Sequence, residues 1–243
     1  MRRVALITGA AGDIGRATAQ AFAAAGHDLA LLDRGIAELP PGCEGLTLSC
    51  DVADPDSVAS AFAAVAAHFG RLDALINIAG INHKAPVADM RMQDWERVMD
   101  VNIGAMFLTA KHGVPLLEKG ESPAIVNMAS ISGHVASPDY PAYVTSKAAV
   151  ESFTWALAGE VGARNIRVNA VAPGWVDAGF TRAALHSADD PGTLLAKAKA
   201  AHLLGRMARP EEVARAIRWL ASPKASFITG ETLFVDGGLM RVH

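Results

Sequence analysis

Short runs of continuous apolar residues alternate along the chain with longer segments whose apolar positions recur at helical spacing. The seven apolar runs are Val4–Ile7, Leu29–Leu32, Leu46–Cys50, Ala74–Ile78, Ala124–Met128, Ile166–Val171 and Thr232–Val235. Continuous rather than alternating hydrophobicity predicts strands that are covered on both faces. The five predicted helices are Gly15–Ala25, Asp56–Phe69, Met92–Leu117, Tyr143–Val161 and Pro210–Leu220. This alternation predicts an α/β fold, a parallel sheet of about seven strands with helices on both faces.

The segment from Trp175 to Arg206 interrupts the alternation. It is long, contains Gly179 and Gly192, and has only scattered leucines. Long insertions inside a compact domain are often lids or binding loops. We therefore predict a substrate lid at 175–206, and the alternative is a pair of surface helices with ordinary packing. Because no linker, low-complexity segment or repeat divides the chain, residues 1–243 are predicted to form a single domain.

Composition and charge argue against several classes of protein. Only 19% of the residues are charged and 51% are hydrophobic, which argues against disorder. The net charge of −3 offers no basic surface for nucleic acid, and no apolar run approaches the about 18 residues of a membrane span. The two cysteines, Cys43 and Cys50, form no disulfide framework, so we expect a cytoplasmic protein. The eight histidines show no metal-ligand spacing, so no metal site is predicted.

A glycine-rich turn follows the first predicted strand, with the sequence Thr8-Gly9-Ala10-Ala11-Gly12-Asp13-Ile14-Gly15. Between a strand and a helix, such a turn directs backbone N–H groups at a pyrophosphate, and the helix N-terminus favours negative charge. Asp33 ends the second strand, 24 residues after Gly9, close to the spacing of a ribose-binding acid. The alternative for Asp33 is a solvated turn residue. The pattern predicts a Rossmann-like, doubly wound sheet that binds a dinucleotide.

Tyr143 and Lys147 open a predicted helix four residues apart, so they share one helix face. A phenol has a pKa of about 10 and is a poor base at neutral pH, but a neighbouring cation favours the phenolate. Lowering that pKa by ~3 units takes about 4 kcal/mol, which we expect Lys147 and an oxidised nicotinamide to supply. Ser130 lies thirteen residues before Tyr143, just past a strand, while Ser132 is a nearby alternative.

These residues resemble the short-chain dehydrogenase/reductase family, and the resemblance covers essentially the whole chain. The catalytic tetrad that the resemblance implies is Asn102, Ser130, Tyr143 and Lys147. In the family, the serine holds the substrate oxygen and the tyrosine is the general acid/base. The lysine binds the nicotinamide ribose, and the asparagine positions a water. Asp13 stands where the family usually has a glycine, and we expect its carboxylate to point outward and cap the helix.

The resemblance also implies the cofactor and its contacts. An acid at the Asp33 position repels a 2′-phosphate, and no Lys or Arg occupies Ala10, Ala11 or Gly12, so NAD(H) is predicted over NADP(H). Ala178 replaces a usual threonine, and nearby Thr181 is a candidate for its carboxamide contact. The implied cofactor-binding residues are Gly9, Gly12, Asp13, Ile14, Gly15, Asp33, Asp51, Val52, Asn77, Ala79, Gly80, Tyr143, Lys147, Pro173, Gly174 and Val176.

The substrate pocket and the assembly are less strongly marked. Candidate pocket residues are His83, His134, Tyr140, Trp175 and Phe180, and the alternative for each histidine is a packed or surface role. The helix Tyr143–Val161 and the segment Ile103–Leu117 are apolar around much of their circumference, which predicts burial by a neighbour. In the family these helices form the main subunit interface, so a homotetramer is expected.

Together these features predict an NAD(H)-dependent enzyme that interconverts a small secondary alcohol and a ketone, with no nucleic-acid or membrane partner. A 3-oxoacyl carrier-protein reductase is the alternative within the same class, although that role usually goes with NADP(H). A dinucleotide-binding regulator without catalysis is the alternative from another class, and the complete tetrad argues against it.

Overall fold

Seven strands form one parallel sheet in the order β3-β2-β1-β4-β5-β6-β7. The computed structural model describes residues 2–35 and 37–241. The strands are β1 Val4–Thr8, β2 Asp28–Asp33, β3 Gly45–Ser49, β4 Ala74–Asn77, β5 Ala124–Met128, β6 Arg167–Pro173 and β7 Thr232–Val235. This confirms the predicted doubly wound sheet. The strand order reverses between β1 and β4, where folds of this kind bind ligands at the carboxyl ends of the strands.

Eight α-helices of four residues or more connect the described strands. They are α1 Asp13–Ala23, α2 Pro55–Phe69, α3 Met92–Met99, α4 Ala105–Leu117, α5 Pro141–Val161, α6 Gly179–His186, α7 Pro191–Ala200 and α8 Pro210–Ala221. The predicted helix Met92–Leu117 is divided, because Asp100–Gly104 forms a π-helical turn between α3 and α4. Such turns within α-helices often occur at functional sites.

The core consists of two apolar layers, one on each face of the sheet. Helices α2, α4 and α5 pack on one layer, for example through Phe62, Leu117 and Val161. Helices α1 and α8 pack on the other, through Phe22 and Ile217. Strands β1, β4, β5 and β6 are buried at every position. Full burial explains why their sequences are mostly apolar and do not alternate.

The segment predicted as a lid folds into α6 and α7 and the turns around them. Its ends meet, because Val176 forms a parallel β-bridge with Ala208. The Asp177 amide also donates to the Ala208 carbonyl, and the Ala208 amide donates to the Trp175 carbonyl. The chain therefore leaves the carboxyl end of β6 and returns to it. Within the described residues, no helix is both long and apolar enough to span a membrane.

Candidate active site

A cavity of about 690 Å³ lies at the carboxyl edge of the sheet. Five of its wall residues follow or end five different strands, which are Gly9, Asp33, Ile78, Met128 and Pro173. Helices α1, α5 and α6 contribute further walls. The cavity thus occupies the region where the strand order reverses, which is the expected ligand site of a doubly wound sheet.

The glycine-rich turn between β1 and α1 forms one end of the cavity. Gly9 has a φ of +67°, and a Cβ at this position would lie 2.7 Å from the Ala79 amide nitrogen. A Cβ on Gly15 would overlap the carbonyl oxygen of Gly9. The turn therefore closes tightly against β4 and against the first turn of α1 only because both residues lack a side chain. This leaves a shallow cradle at a helix N-terminus that fits a pyrophosphate group.

Asp33 lies at the end of β2, directly beside this turn. Its carboxylate accepts hydrogen bonds from the Ala11 amide and from the Gly35 amide, each at 2.9 Å. Two backbone donors fix the orientation of the carboxylate at the cavity wall. Arg34 also lines the cavity. The chemistry and position of Asp33 fit the hydroxyl groups of a ribose.

Asp13 differs from the sequence-based expectation. The N-cap of α1 is Gly12, and no side chain caps this helix. Instead the Asp13 carboxylate accepts from the amide of Gly179, the first residue of α6, at 2.8 Å. It also pairs with Arg16 and Arg182. The expected cap on α1 is wrong because these positive partners, one of them a helix N-terminus, compete successfully for the carboxylate.

Most of the predicted cofactor residues line the cavity: Gly9, Gly12, Asp13, Ile14, Gly15, Asp33, Asp51, Val52, Ala79, Gly80, Tyr143, Lys147, Pro173, Gly174 and Val176. Asn77 does not line it. The Asn77 side chain is buried, accepts from Thr109 and donates to Asn127, both at 2.9 Å. Its amide therefore ties β4 to β5 and α4, because a buried amide without partners would be costly.

Ser130, Tyr143 and Lys147 also line the cavity and come together on one wall. The Ser130 oxygen accepts from the Ser132 amide at 3.1 Å, which leaves the serine proton available for another acceptor. Lys147 donates to the Met128 carbonyl at 2.7 Å, and its Nζ lies 5.7 Å from the centroid of the Tyr143 ring. A hydroxyl, a phenol and an ammonium group thus share one wall.

Asn102 lies behind this wall, in the π-helical turn. Its side chain accepts from the Ile81 amide at 2.8 Å and donates to the Ile81 carbonyl and to Ser146 Oγ, each at 2.9 Å. A Cβ on Gly80 would lie 3.2 Å from Asn102 Oδ1 and 3.5 Å from Lys147 Nζ. Asn102 and Lys147 therefore approach the same point from two helices.

Among the protein groups, burial has the largest effect on the phenol of Tyr143. Burial raises the pKa of Tyr143, and a hydrogen bond with Ser130 opposes this shift only in part. Burial also lowers the pKa of Lys147, to about 8. The expected lowering of the Tyr143 pKa by Lys147 is thus not produced by the protein groups, because desolvation disfavours the charged form of both residues.

The candidate substrate residues divide into two groups. Tyr140, Trp175 and Phe180 line the cavity, and the Phe180 ring stands edge-on to Tyr143 with centroids 6.5 Å apart. His83 and His134 are not among the residues lining the cavity. His83 lies 3.8 Å from a carboxylate oxygen of Asp94, and His134 binds Glu151 at 2.6 Å. Each histidine instead has an acidic partner on a helix, Asp94 on α3 and Glu151 on α5.

Several cavity residues carry no motif that marks them in the sequence. They include Ile81, Asn82, Arg97 and the segment from Val135 to Pro138. Ala178 and Thr181 line the cavity as well. Within 2–35 and 37–241, no three His, Cys, Asp or Glu side chains are grouped so as to hold a metal ion.

The fold, the glycine cradle and the polar wall of the same cavity define an oxidoreductase that binds a nicotinamide dinucleotide. A family model described as Enoyl-(Acyl carrier protein) reductase matches residues 9–240. The chain belongs to the short-chain dehydrogenase/reductase family, as the sequence indicated.

Individual relatives cover almost the whole chain. The chain is 40% identical to cis-4-hydroxycyclohexanecarboxylate dehydrogenase of Sinomonas cyclohexanicum, over 99% of this chain and 97% of the relative. It is 37% identical to 3-oxoacyl-(acyl-carrier-protein) reductase of Thermotoga maritima, over 98% of both chains. The solved aldohexose dehydrogenase of Thermoplasma acidophilum matches with a TM-score of 0.91 and 33% identity, over 100% of this chain and 95% of the other.

Proposed function

We propose that this protein is an NAD(H)-dependent enzyme that interconverts a small secondary alcohol and the corresponding ketone. The observation that carries the proposal is the convergence of Ser130, Tyr143 and Lys147 on one wall of the cavity that the glycine-rich turn also lines. A site of this form holds a dinucleotide and presents an acid/base group to a substrate oxygen.

The protein groups position the substrate and move its proton. The Ser130 hydroxyl donates to the substrate oxygen, since its own oxygen already accepts from the Ser132 amide. Tyr143 gives its proton to a ketone oxygen in reduction and takes the hydroxyl proton in oxidation. A bound nicotinamide dinucleotide supplies or accepts the hydride in these two directions. The raised pKa of Tyr143 suits the protonated phenol that reduction requires.

Lys147 and Asn102 support this proton transfer. Lys147 is 2% exposed and donates to the Met128 carbonyl. Lys147 also lines the cavity, and its remaining protons would bind the ribose hydroxyls beside the nicotinamide. Asn102 holds the Ile81 main chain beside Lys147, where it would position a water that links Lys147 to solvent.

The preference for NAD(H) rests on Asp33. Its carboxylate is fixed beside the glycine-rich turn by the Ala11 and Gly35 amides. There it accepts from ribose hydroxyls and repels a 2′-phosphate in a partly desolvated site. Steady-state kinetics with both dinucleotides tests this preference, and a higher kcat/KM with NADP(H) would contradict it.

The curated relatives include a dehydrogenase of a cyclic hydroxy acid and a 3-oxoacyl-(acyl-carrier-protein) reductase. Because of the second relative, 3-oxoacyl reduction is the alternative activity. Asp33 disfavours it, because 3-oxoacyl reductases usually use NADP(H). Turnover of 3-oxoacyl thioesters, compared with a panel of secondary alcohols and ketones, separates the two activities. A regulator without catalysis predicts no turnover in either assay.

Helices α6 and α7 are proposed to cover the substrate. Phe180 on α6 faces the Tyr143 ring, and the first residue of α6 is fastened to Asp13 at the glycine-rich turn. One element therefore contacts both the glycine-rich turn and the Tyr143 ring. Closure of such an element excludes water and positions the substrate.

The assembly is proposed to be a homotetramer in the cytoplasm. Phe107 on α4 and Trp155 on α5 are each 55% exposed, which suits a face covered by another subunit. Cys43 and Cys50 are free thiols, as expected in a reducing compartment. Light scattering tests the assembly, and a mass near that of one 25.3 kDa chain would refute it.

The decisive test of the activity is the variant Tyr143→Phe. It removes the phenolic proton and leaves the ring that packs against Phe180. We expect turnover to be lost while NADH binding, measured by fluorescence titration, is retained. Near-native turnover in this variant would refute the assignment of Tyr143.

A further inference from the structure

His202 is a buried histidine that the tetrad does not include. It follows α7 in the turn that leads back to the sheet and is 4% exposed. Both of its ring nitrogens are bonded to main chain. Nδ1 lies 2.8 Å from the Ala198 carbonyl oxygen, and Nε2 accepts from the Trp175 amide at 3.2 Å.

These two partners determine the protonation of the ring. A carbonyl oxygen only accepts and a backbone amide only donates, so Nδ1 carries the proton and Nε2 carries the lone pair. The ring is therefore neutral. It is also enclosed, because a Cβ on Gly174 would lie 2.6 Å from Nε2 and a Cβ on Gly237 would lie 3.4 Å from the ring.

The bond from Trp175 to His202 lies at the wall of the cavity. Trp175 follows Pro173 and Gly174, and all three residues line the cavity. The Trp175 carbonyl accepts from the Ala208 amide at 2.9 Å. Both main-chain polar groups of Trp175 are thus held by the segment that follows α7.

We propose that His202 is a positioning residue, which fixes the Pro173–Val176 wall of the cavity through the main chain of Trp175 and couples this wall to the end of α7. The proposal rests on the proposed function, in which this wall contacts the reacting part of the dinucleotide and substrate. Without the acceptor, the Trp175 amide is unpaired and the wall shifts. A misplacement of about 1 Å at a reacting centre costs roughly 100-fold in rate.

Two variants separate the two bonds of His202. In His202→Gln, the side-chain oxygen reaches the position of Nε2 and still accepts from Trp175. In His202→Asn, the shorter amide reaches only the position of Nδ1, so it keeps a donor for Ala198 and loses the acceptor for Trp175. Both replace a buried ring by a smaller amide, so we expect both to lower the melting temperature. Lys199→Ala, on the exposed side of α7, is the surface control.

The expected result is a difference between the two amides. His202→Asn lowers kcat by about 10- to 100-fold, whereas His202→Gln stays within about threefold of the unmodified enzyme. Hydrogen exchange at the Trp175 amide, measured by mass spectrometry with fragmentation, becomes faster in His202→Asn and stays slow in His202→Gln. Equal kcat and equal exchange in the two variants would overturn the proposal.

The exchange measurement also distinguishes this proposal from the proposed function. If no alcohol or ketone is turned over by the unmodified enzyme while the exchange rates differ as expected, the activity is refuted and the bond to Trp175 stands. If neither variant folds, nitrogen NMR of the unmodified protein with ¹⁵N-labelled histidine decides. A proton on Nδ1 of His202 alone supports the proposal, and a proton on Nε2 overturns it.

Discussion

Burial of Lys147 is expected to make the stability of the protein depend on pH in the alkaline range. The side chain is 2% exposed, and its pKa is lowered by desolvation from 10.5 to about 8. As the pH rises, the folded state therefore releases this proton at a pH about 2.5 units lower than the unfolded state does. Between pH 8 and 10.5 the unfolded state binds more protons, so stability rises with pH.

The size of this effect follows from the shift. Each unit of pKa corresponds to about 1.36 kcal/mol, so the full contribution is about 3 kcal/mol and accumulates between pH 8 and 10.5. Below pH 8 both states hold the proton and the contribution is constant. Between pH 8 and pH 9.5, a range that avoids ionisation of Tyr143, we expect about 2 kcal/mol.

The variant Lys147→Met isolates this contribution. Urea denaturation at pH 7, 8, 9 and 9.5 measures the free energy of unfolding of the unmodified protein and of the variant. All samples have the same protein concentration, because the stability of an oligomer depends on concentration. The unmodified protein gains about 2 kcal/mol relative to the variant between pH 8 and 9.5. Lys111→Met, at an exposed position of α4, is the matched control. The difference in unfolding free energy between this variant and the unmodified protein is expected to stay constant over the same pH range. If the difference in unfolding free energy between Lys147→Met and the unmodified protein does not change with pH, the reasoning is refuted.

Three further predictions concern the cavity. Ser130→Ala lowers kcat by about 10²- to 10³-fold because the substrate oxygen loses its donor, while Ser132→Ala, whose main-chain amide is unchanged, retains turnover; equal losses would reassign the serine. Asp33→Ser is expected to lower kcat/KM for NAD⁺ and raise it for NADP⁺, and steady-state kinetics with both dinucleotides checks the change. Arg182→Ala and Asp13→Asn each loosen α6, so they raise the substrate KM several-fold; a double variant with the sum of both effects would show that the two residues act independently.

The strands were the most predictable part of the fold. β5 and β7 begin and end at the predicted residues, and the other strands differ by at most two residues at either end. The reason is physical: a parallel strand buried on both faces is apolar at most positions, and this composition is visible in one dimension. The glycine-rich turn was equally visible, since Gly9 and Gly15 lie where a side chain would collide with backbone.

The partners of polar side chains were much less predictable. The sequence offers no sign that Asp13 binds the start of α6, far along the chain, or that Asn77 joins Thr109 and Asn127. His134 lies between two members of the tetrad in sequence, yet Glu151 on α5 directs its ring elsewhere. Each of these outcomes depends on which donors and acceptors the tertiary fold brings within about 3 Å of one another. The local sequence pattern does not contain this information.

The β-bridge between Val176 and Ala208 has a consequence for how this enzyme can diversify. The bridge holds the two ends of the intervening segment together near the carboxyl end of β6, so the sheet does not fix the length of the chain between them. Doubling the length of a closed loop costs only about 0.6 kcal/mol. Insertions or replacements within α6 and α7 therefore alter the substrate that is admitted, provided that the contacts of Gly179 with Asp13 and of His202 with Trp175 are kept.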